Sequence, residues 1–209
     1  KSGTGKTSLV NLLPRFYDIC GGSILINDID YKEYKLEELR DNIAYVFQEP
    51  VIFEKTILEN IKFGNKANIT EKKIKQVCKK IGLDEKISKL PQGYNTIINS
   101  KTDLLSYGEK QLLSFARAIL KDADLIILDE VTSNLDLEFE EYIMNATKEI
   151  LGGKIAFVIA HRLNTIKNSD LILFLEDKKI AELGTHEELI AKRGKYYELY
   201  NSKEEITTK

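Results

Sequence analysis

Hydrophobic and polar positions along this chain follow two spacings, one typical of strands and one typical of helices. Short apolar runs at residues 125–128, 155–160 and 171–175 have the length of buried strands. Between the first two runs, residues 137–151 carry apolar side chains at helical spacing, and two glycines follow them. Strands that alternate with helices form parallel sheets, so the pattern predicts an α/β fold with a mainly parallel sheet.

The first half of the chain begins with a helical pattern and two short strand patterns. Residues 6–16 place three leucines on one face of a predicted helix. Residues 23–26 and 43–47 have the composition of short strands on either side of a polar segment. From about residue 50 to residue 101 the spacing of apolar positions becomes helical.

One helix in this region has a recognisable start. Thr70 is a suitable N-cap, and Ile74, Val77, Cys78 and Ile81 share one face at helical spacing. Lysines occupy most of the other positions, and we expect them to face solvent rather than nucleic acid.

These patterns divide the chain into an α/β core and an inserted helical lobe. The core is predicted to comprise residues 1–48 and 121–209, and the helical subdomain residues 49–120. The chain opens inside a glycine-rich segment, where a domain does not ordinarily begin. We therefore expect the core to be incomplete at its N-terminus.

Composition and charge narrow the class of protein. The chain is 43% hydrophobic and 31% charged, the balance of an ordinary globular protein. Its formal net charge of −2 provides no overall basic field, so we expect no nucleic-acid partner. The longest apolar runs are much shorter than the about 20 residues of a membrane-spanning helix. Of the two histidines, His186 is expected at a surface turn.

The residues Gly3-Thr4-Gly5-Lys6-Thr7 resemble the end of a phosphate-binding loop. Glycines allow backbone N–H groups to surround phosphates at the start of a helix. In such a loop Lys6 contacts the β- and γ-phosphates, and the Thr7 hydroxyl binds Mg²⁺. A structural turn before a helix is the alternative when this segment is considered alone.

Two carboxylates, Asp129 and Glu130, follow the apolar run at 125–128. Ligands of open α/β sheets bind at the C-terminal ends of strands, where these side chains are predicted to lie. Asp129 is expected to bind Mg²⁺ through water, and Glu130 to orient and polarise the attacking water. An acidic turn after a strand is the alternative, and the phosphate-loop residues argue against it.

Further motifs resemble those of the ABC transporter ATPases, of the exporter type, in the order that this family has. They are Gln48 (Q-loop), Leu105-Ser106-Tyr107-Gly108-Glu109 (signature, usually Leu-Ser-Gly-Gly-Gln), Ser133-Asn134-Leu135-Asp136 (D-loop) and Ala160-His161-Arg162-Leu163 (switch histidine). The resemblance implies a P-loop NTPase (RecA-like) core with an inserted helical subdomain. It also implies a domain that binds and hydrolyses ATP to power an exporter.

The resemblance implies a role for each motif residue. Glu130 and His161 are the implied catalytic residues. The implied ATP-binding residues are Ser2, Gly3, Thr4, Gly5, Lys6, Thr7, Ser8 and Gln48, with Thr7, Gln48 and Asp129 at the Mg²⁺. Ser106 and Gly108 are expected to contact the ATP held by a second such domain, because a helix N-terminus offers unpaired N–H groups and partial positive charge.

The implied partners are a transmembrane domain, expected to be fused upstream, and a second nucleotide-binding domain, at the cytoplasmic face of the cell membrane. The segment near residues 50–53 is expected to receive the coupling helices of the transmembrane domain. Two signature residues depart from the family pattern, because Tyr107 and Glu109 replace glycine and glutamine. A carboxylate near a triphosphate is unfavourable. Unequal sites of this kind resemble those of heterodimeric exporters, so we favour a heterodimer, whose other subunit has a standard signature, over a homodimer.

Two other classes of protein share these motifs. One is a soluble ABC protein that acts on ribosomes or DNA, which usually carries two cassettes or long helical arms. The other is a regulatory domain that binds ATP without hydrolysing it. Glu130 and His161 argue against the second class, and the slightly acidic charge argues against the first.

Overall fold

The computed structural model describes residues 4–65, 69–99, 104–131, 137–160 and 166–207. The chain divides into two compact units. Lys1–Asp18 and Ile159–Lys209 form one of them, the terminal unit. Ile19–Val158 form the other, the central unit.

Helices and short strands make up most of both units. In chain order, the helices are α1 (Lys6–Val10), α2 (Leu36–Asp41), α3 (Ile57–Lys62), α4 (Glu71–Lys80), α5 (Leu83–Ser88), α6 (Tyr107–Lys121), α7 (Leu137–Leu151), α8 (His186–Lys192) and α9 (Lys195–Thr207), with a 3₁₀ turn at Gly93–Asn95. The strands are β1 (Leu25–Ile26), β2 (Ile29–Asp30), β3 (Ile43–Val46), β4 (Leu125–Asp129), β5 (Ile155–Ile159), β6 (Ile172–Glu176) and β7 (Lys179–Gly184).

A three-stranded sheet and the helices beside it form the core of the central unit. The strand order is β3-β4-β5, and β3 pairs with β4 in parallel, with Ile43 opposite Leu125 and Val46 opposite Leu128. Buried side chains from both strands and from α3 to α7 share one hydrophobic cluster. The parallel pairing and the flanking helices confirm the predicted α/β fold. The predicted domain boundaries at residues 48 and 120 stay a prediction.

The helical pattern correctly located α4 and α7. The hydroxyl of Thr70 caps α4 by accepting a hydrogen bond from the Lys73 N–H at 3.3 Å. Ile74, Val77 and Cys78 are buried on one face, and the lysines of this helix are exposed, as expected. Helix α7 spans its predicted residues. For these helices, therefore, amphipathic spacing and an N-cap were sufficient signals.

The first helix is shorter than the sequence pattern predicted. We expected residues 6–16 to be helical, but α1 ends at Val10. Beyond Val10 the hydrogen bonds span three residues instead of the four of an α-helix. The Leu13 N–H donates to the Val10 carbonyl, and the Arg15 N–H donates to the Leu12 carbonyl. Pro14 explains the change, because it has no N–H to continue the helical ladder.

The terminal unit contains an antiparallel hairpin and two C-terminal helices. Strands β6 and β7 are joined at Asp177 and Lys178, which both have positive φ angles, as in the tight turns that suit hairpins. His186 begins α8 and is buried, with its Nδ1 atom 2.9 Å from the Tyr196 hydroxyl. The expectation of a surface position for His186 was therefore wrong, because the aromatic side chain of Tyr196 covers it.

Among the residues that the structure describes, no helix combines the length and the apolar character needed to cross a membrane.

Candidate functional site

The predicted phosphate loop leads directly into α1. Gly5 occupies the N-cap position with φ of 90°, a left-handed conformation that favours glycine. Its carbonyl accepts the first helical hydrogen bond, from the Leu9 N–H at 2.9 Å. The Lys6 ammonium donates to the Thr4 hydroxyl at 3.3 Å. The backbone thus turns sharply at Gly5 and presents the start of a helix.

Other predicted residues of this loop lie beside these. Thr7 and Ser8 occupy the first turn of α1 and are exposed. Ser2 and Gly3 lie outside the described residues, as does His161. The Ser133-Asn134-Leu135-Asp136 segment also lies outside them.

The acidic pair lies at the C-terminal end of β4, as predicted. Asp129 is its last residue and is 3% exposed. The Tyr45 hydroxyl, on the neighbouring strand β3, donates a hydrogen bond to Asp129 Oδ2 at 3.3 Å. Burial, together with the negative charge of Asp129, raises the pKa of Tyr45 well above its usual range, so the tyrosine stays a donor. Tyr45 therefore orients a carboxylate that is predicted to bind metal.

Glu130 directly follows Asp129 and adopts a left-handed backbone conformation. Its φ angle is 49°, which is uncommon for a residue with a side chain. Residues held in such sparsely populated conformations cluster at functional sites. The conformation turns the chain sharply at the end of β4.

Gln48 lies at the same edge of the sheet as this acidic pair. It follows β3, whose last residue, Val46, is opposite Leu128 of β4. Asp129 therefore lies one position past this matched pair, and Gln48 lies two positions past it on the adjacent parallel strand. The strand register therefore places the predicted metal ligands Gln48 and Asp129, and Glu130 beside Asp129, at one edge of the sheet.

The signature segment begins α6 with a reciprocal cap. The Ser106 hydroxyl accepts a hydrogen bond from the Glu109 N–H at 3.3 Å, and the Glu109 carboxylate accepts one from the Ser106 N–H at 2.7 Å. Lys86 of α5 lies 3.4 Å from the same carboxylate. Glu109 was expected to disturb a triphosphate, but its charge is here paired with a lysine and used to cap the helix.

Tyr107 joins the first turn of α6 to the segment that follows β3. Its hydroxyl donates a hydrogen bond to the carbonyl of Gln48 at 2.5 Å. One helical turn later, the Gln111 side-chain amide donates to the carbonyl of Phe47 at 3.1 Å. Partial burial, and then the charge of Glu49, raise the pKa of Tyr107, so its hydroxyl keeps its proton.

Further along α6, Arg117 binds the next part of the same loop. Its guanidinium donates to the carbonyl of Asn60 at 2.5 Å, to Asn60 Oδ1 at 2.7 Å and to the carbonyl of Val51. It also lies 5.4 Å from the ring centre of Phe53. The buried Asn60 amide donates to the carbonyl of Phe53 at 2.9 Å. Arg117 and Asn60 thus hold the loop against the helices, and no local sequence pattern indicated this network.

Gly108 lies against Phe139 of α7, which leaves no room for a larger residue. A Cβ atom at Gly108 would lie 2.6 Å from the Phe139 ring. We expect Gly108→Ala to lower the free energy of unfolding by about 1–3 kcal/mol, because α6 and α7 must separate or Phe139 must rotate. Chemical denaturation would measure it.

Gly152→Ala is the matched control for this substitution. A Cβ atom at Gly152 has no atom within 4 Å, so we expect its stability to change by less than about 0.5 kcal/mol. Equal stability of the two variants would show that the contact with Phe139 imposes no constraint on Gly108.

The fold and these motifs define a P-loop NTPase with an α/β core and helical elements. A family model described as ABC transporter matches residues 1–133. The chain therefore belongs to the ABC transporter family.

Two named relatives are ATP-dependent flippases. It is 44% identical to the ATP-dependent lipid A-core flippase of Syntrophus aciditrophicus, over 95% of this chain and 33% of that protein. It is 43% identical to the protein of the same name from Pseudomonas aeruginosa, over 96% of this chain and 33% of that one.

A solved structure has the same fold. It is described as a bacterial Atm1-family ABC exporter with ATP bound, and it matches with a TM-score of 0.88 and 34% identity. The match covers 97% of this chain and 35% of that chain. This chain thus spans about a third of the length of the proteins that it matches.

Proposed function

We propose that this chain is the ATP-binding and ATP-hydrolysing domain of an ABC exporter. The observation that supports this most directly is the arrangement at the sheet edge. There the buried Asp129 ends one strand, the left-handed Glu130 follows it, and Gln48 follows the adjacent strand. Family membership and the ATP-bound exporter structure support the same proposal.

In this proposal the residues around α1 bind the phosphates of ATP. The left-handed Gly5 lets backbone N–H groups converge, and the Lys6 ammonium compensates the negative charge. The remaining phosphate-loop residues are Ser2, Gly3, Thr4, Thr7 and Ser8. Their hydroxyl and backbone donors suit an anion.

The oxygen atoms of Thr7, Gln48 and Asp129 suit Mg²⁺, because it prefers hard oxygen ligands. Mg²⁺, when bound, neutralises developing charge on the phosphates. Tyr45 keeps Asp129 oriented through its hydrogen bond. Glu130 accepts a proton from the attacking water, and His161 positions that water.

A second nucleotide-binding domain completes the site in this proposal. Ser106 and Gly108 lie at the start of α6, a 15-residue helix. Backbone N–H groups and partial positive charge there suit the γ-phosphate of ATP held by the other domain. ATP then joins the two domains, and hydrolysis releases them.

This mechanism works with a second subunit that is the same chain or a different one, and the heterodimer stays a prediction. The electrostatic reason for favouring a heterodimer was the negative charge of the Glu109 carboxylate near a triphosphate. That carboxylate is paired with Lys86 and with the Ser106 N–H. Tyr107 is then the remaining departure in the signature that favours a heterodimer.

The transmembrane partner is expected to contact the segment near residues 50–53. Arg117 and Asn60 hold this segment by its backbone. Val51 is 47% exposed, which leaves an apolar side chain for a coupling helix. The domain would then lie at the cytoplasmic face of the membrane.

Lys6→Ala tests the proposal in the full-length protein that carries this chain. We expect ATP affinity to fall at least about tenfold, because a charge-assisted contact with phosphate is lost. Equilibrium binding of a fluorescent ATP analogue would measure it. Lys179→Ala, at an exposed position on β7, should bind ATP like the wild type. Equal binding by Lys6→Ala and wild type would refute the phosphate role of Lys6.

A further inference from the structure

The contacts of Tyr107 connect two segments that the proposed function assigns to different ATP molecules. Gln48, after β3, is assigned to the Mg²⁺ and ATP of this chain. Ser106 and Gly108, at the start of α6, are assigned to the ATP of the partner domain. The Tyr107 hydroxyl, between these two signature residues, bonds to the Gln48 carbonyl at 2.5 Å.

Three bonds from α6 hold successive parts of the loop after β3. Gln111 binds the carbonyl of Phe47, Tyr107 that of Gln48, and Arg117 that of Val51. Gln111 is fully buried and Arg117 carries several bonds, so these two anchors belong to the packed interior. Tyr107 is only partly buried, and its bond is made to the one loop residue with an assigned nucleotide role.

The geometry around Tyr107 is therefore suited to transmit movement rather than to hold the fold. A shift of the Gln48 backbone acts on the first turn of α6 through this bond. The capping pair of Ser106 and Glu109 keeps that turn rigid, so the shift also displaces Ser106 and Gly108. Glycine, which the family usually has at this position, has no side chain to make such a bond.

We propose that the Tyr107 hydroxyl is a positioning group that couples the two ATP sites of the assembled transporter. It links the residue that senses one nucleotide to the helix start that binds the other. This inference rests on the proposed function. It concerns communication between sites and not the chemistry within either one.

Tyr107→Phe removes the hydroxyl and keeps the ring. Tyr34→Phe is the matched control, because the Tyr34 hydroxyl also donates to a backbone carbonyl, that of Ile26, at 3.1 Å. Both variants would be made in the full-length protein. Thermal unfolding would show whether each variant remains folded.

The first measurement is amide hydrogen exchange without nucleotide, which does not depend on ATP hydrolysis. We expect peptides covering residues 47–52 to exchange roughly threefold to tenfold faster in Tyr107→Phe, because the loop has lost one of the hydrogen bonds that restrain it. Tyr34→Phe should leave these peptides unchanged. Unchanged exchange in Tyr107→Phe would show that the bond does not restrain the loop, and would overturn the inference.

The second measurement is the dependence of the ATPase rate on ATP concentration. We expect the ATPase rates of the wild type and of Tyr34→Phe to depend cooperatively on ATP concentration. The rate of Tyr107→Phe should be much less cooperative, with its maximal value largely retained. Equal cooperativity in all three proteins would overturn the inference and leave the proposed function intact. A wild type that hydrolyses no ATP would instead overturn the proposed function, and the inference with it.

Discussion

Replacing Glu130 by glutamine is expected to lower ATP turnover by about 10²- to 10⁴-fold and to leave ATP binding intact. Glutamine has nearly the same shape but cannot accept the proton of the attacking water. The effect therefore falls on the transition state rather than on the bound substrate. Glu130 has a left-handed backbone with φ of 49°, and glutamine, which has the same branching at Cβ, can adopt the same conformation.

Single-turnover phosphate release and equilibrium ATP binding, on the same full-length protein, would separate the two effects. The variant should accumulate as an ATP-bound closed dimer, which size-exclusion chromatography with ATP would detect. Asp124→Asn is the matched control, since this exposed carboxylate lies just before the opposite end of β4. Near-wild-type hydrolysis by Glu130→Gln would remove Glu130 from the catalytic assignment.

Replacing Arg117 by methionine is expected to lower the free energy of unfolding by about 2–4 kcal/mol. Methionine fills similar volume but removes the guanidinium hydrogen bonds to the carbonyls of Asn60 and Val51. It also removes the contact with the Phe53 ring. Burial lowers the pKa of Arg117 to about 10, so the guanidinium is still charged at neutral pH and makes charge-assisted bonds.

Urea denaturation of the full-length protein, monitored by exchange in the 47–60 region, would measure this loss. Arg117→Lys should be intermediate, because an ammonium cannot reproduce the planar fork of donors. Lys79→Met, at an exposed position on α4, makes the same change of a long cation to methionine and should be nearly neutral. If Arg117→Met were as stable as Lys79→Met, the loop after β3 would not depend on this network.

The contrast between Asp129 and Arg117 shows how far the sequence could predict the site. Asp129 follows an apolar strand in a short local motif, and its position at the sheet edge follows from the chain direction. Arg117 instead acts on residues 57 and 66 positions earlier in the chain. No local spacing indicates that these segments meet.

Glu109 shows the same limit of prediction from sequence, at a single residue. The sequence pattern identified it as a departure from the signature, and the expected consequence was repulsion of a phosphate. Its spacing from Ser106 also matches a capping box, a local signal that could have been used. The ion pair with Lys86, however, depends on how α5 packs beside α6.

The sequence by itself determined the α/β class, the phosphate-loop and acidic motifs, and the order of motifs that marks the ABC transporter family. These features depend on local spacing and on residue chemistry, and each motif lies within one short segment of the chain. Only the tertiary structure decided that Tyr107 binds the Gln48 carbonyl, that Glu109 pairs with Lys86, and that Arg117 holds the loop after β3. Each of these contacts joins segments distant in sequence, and their approach is set by packing of the shared core rather than by any local pattern.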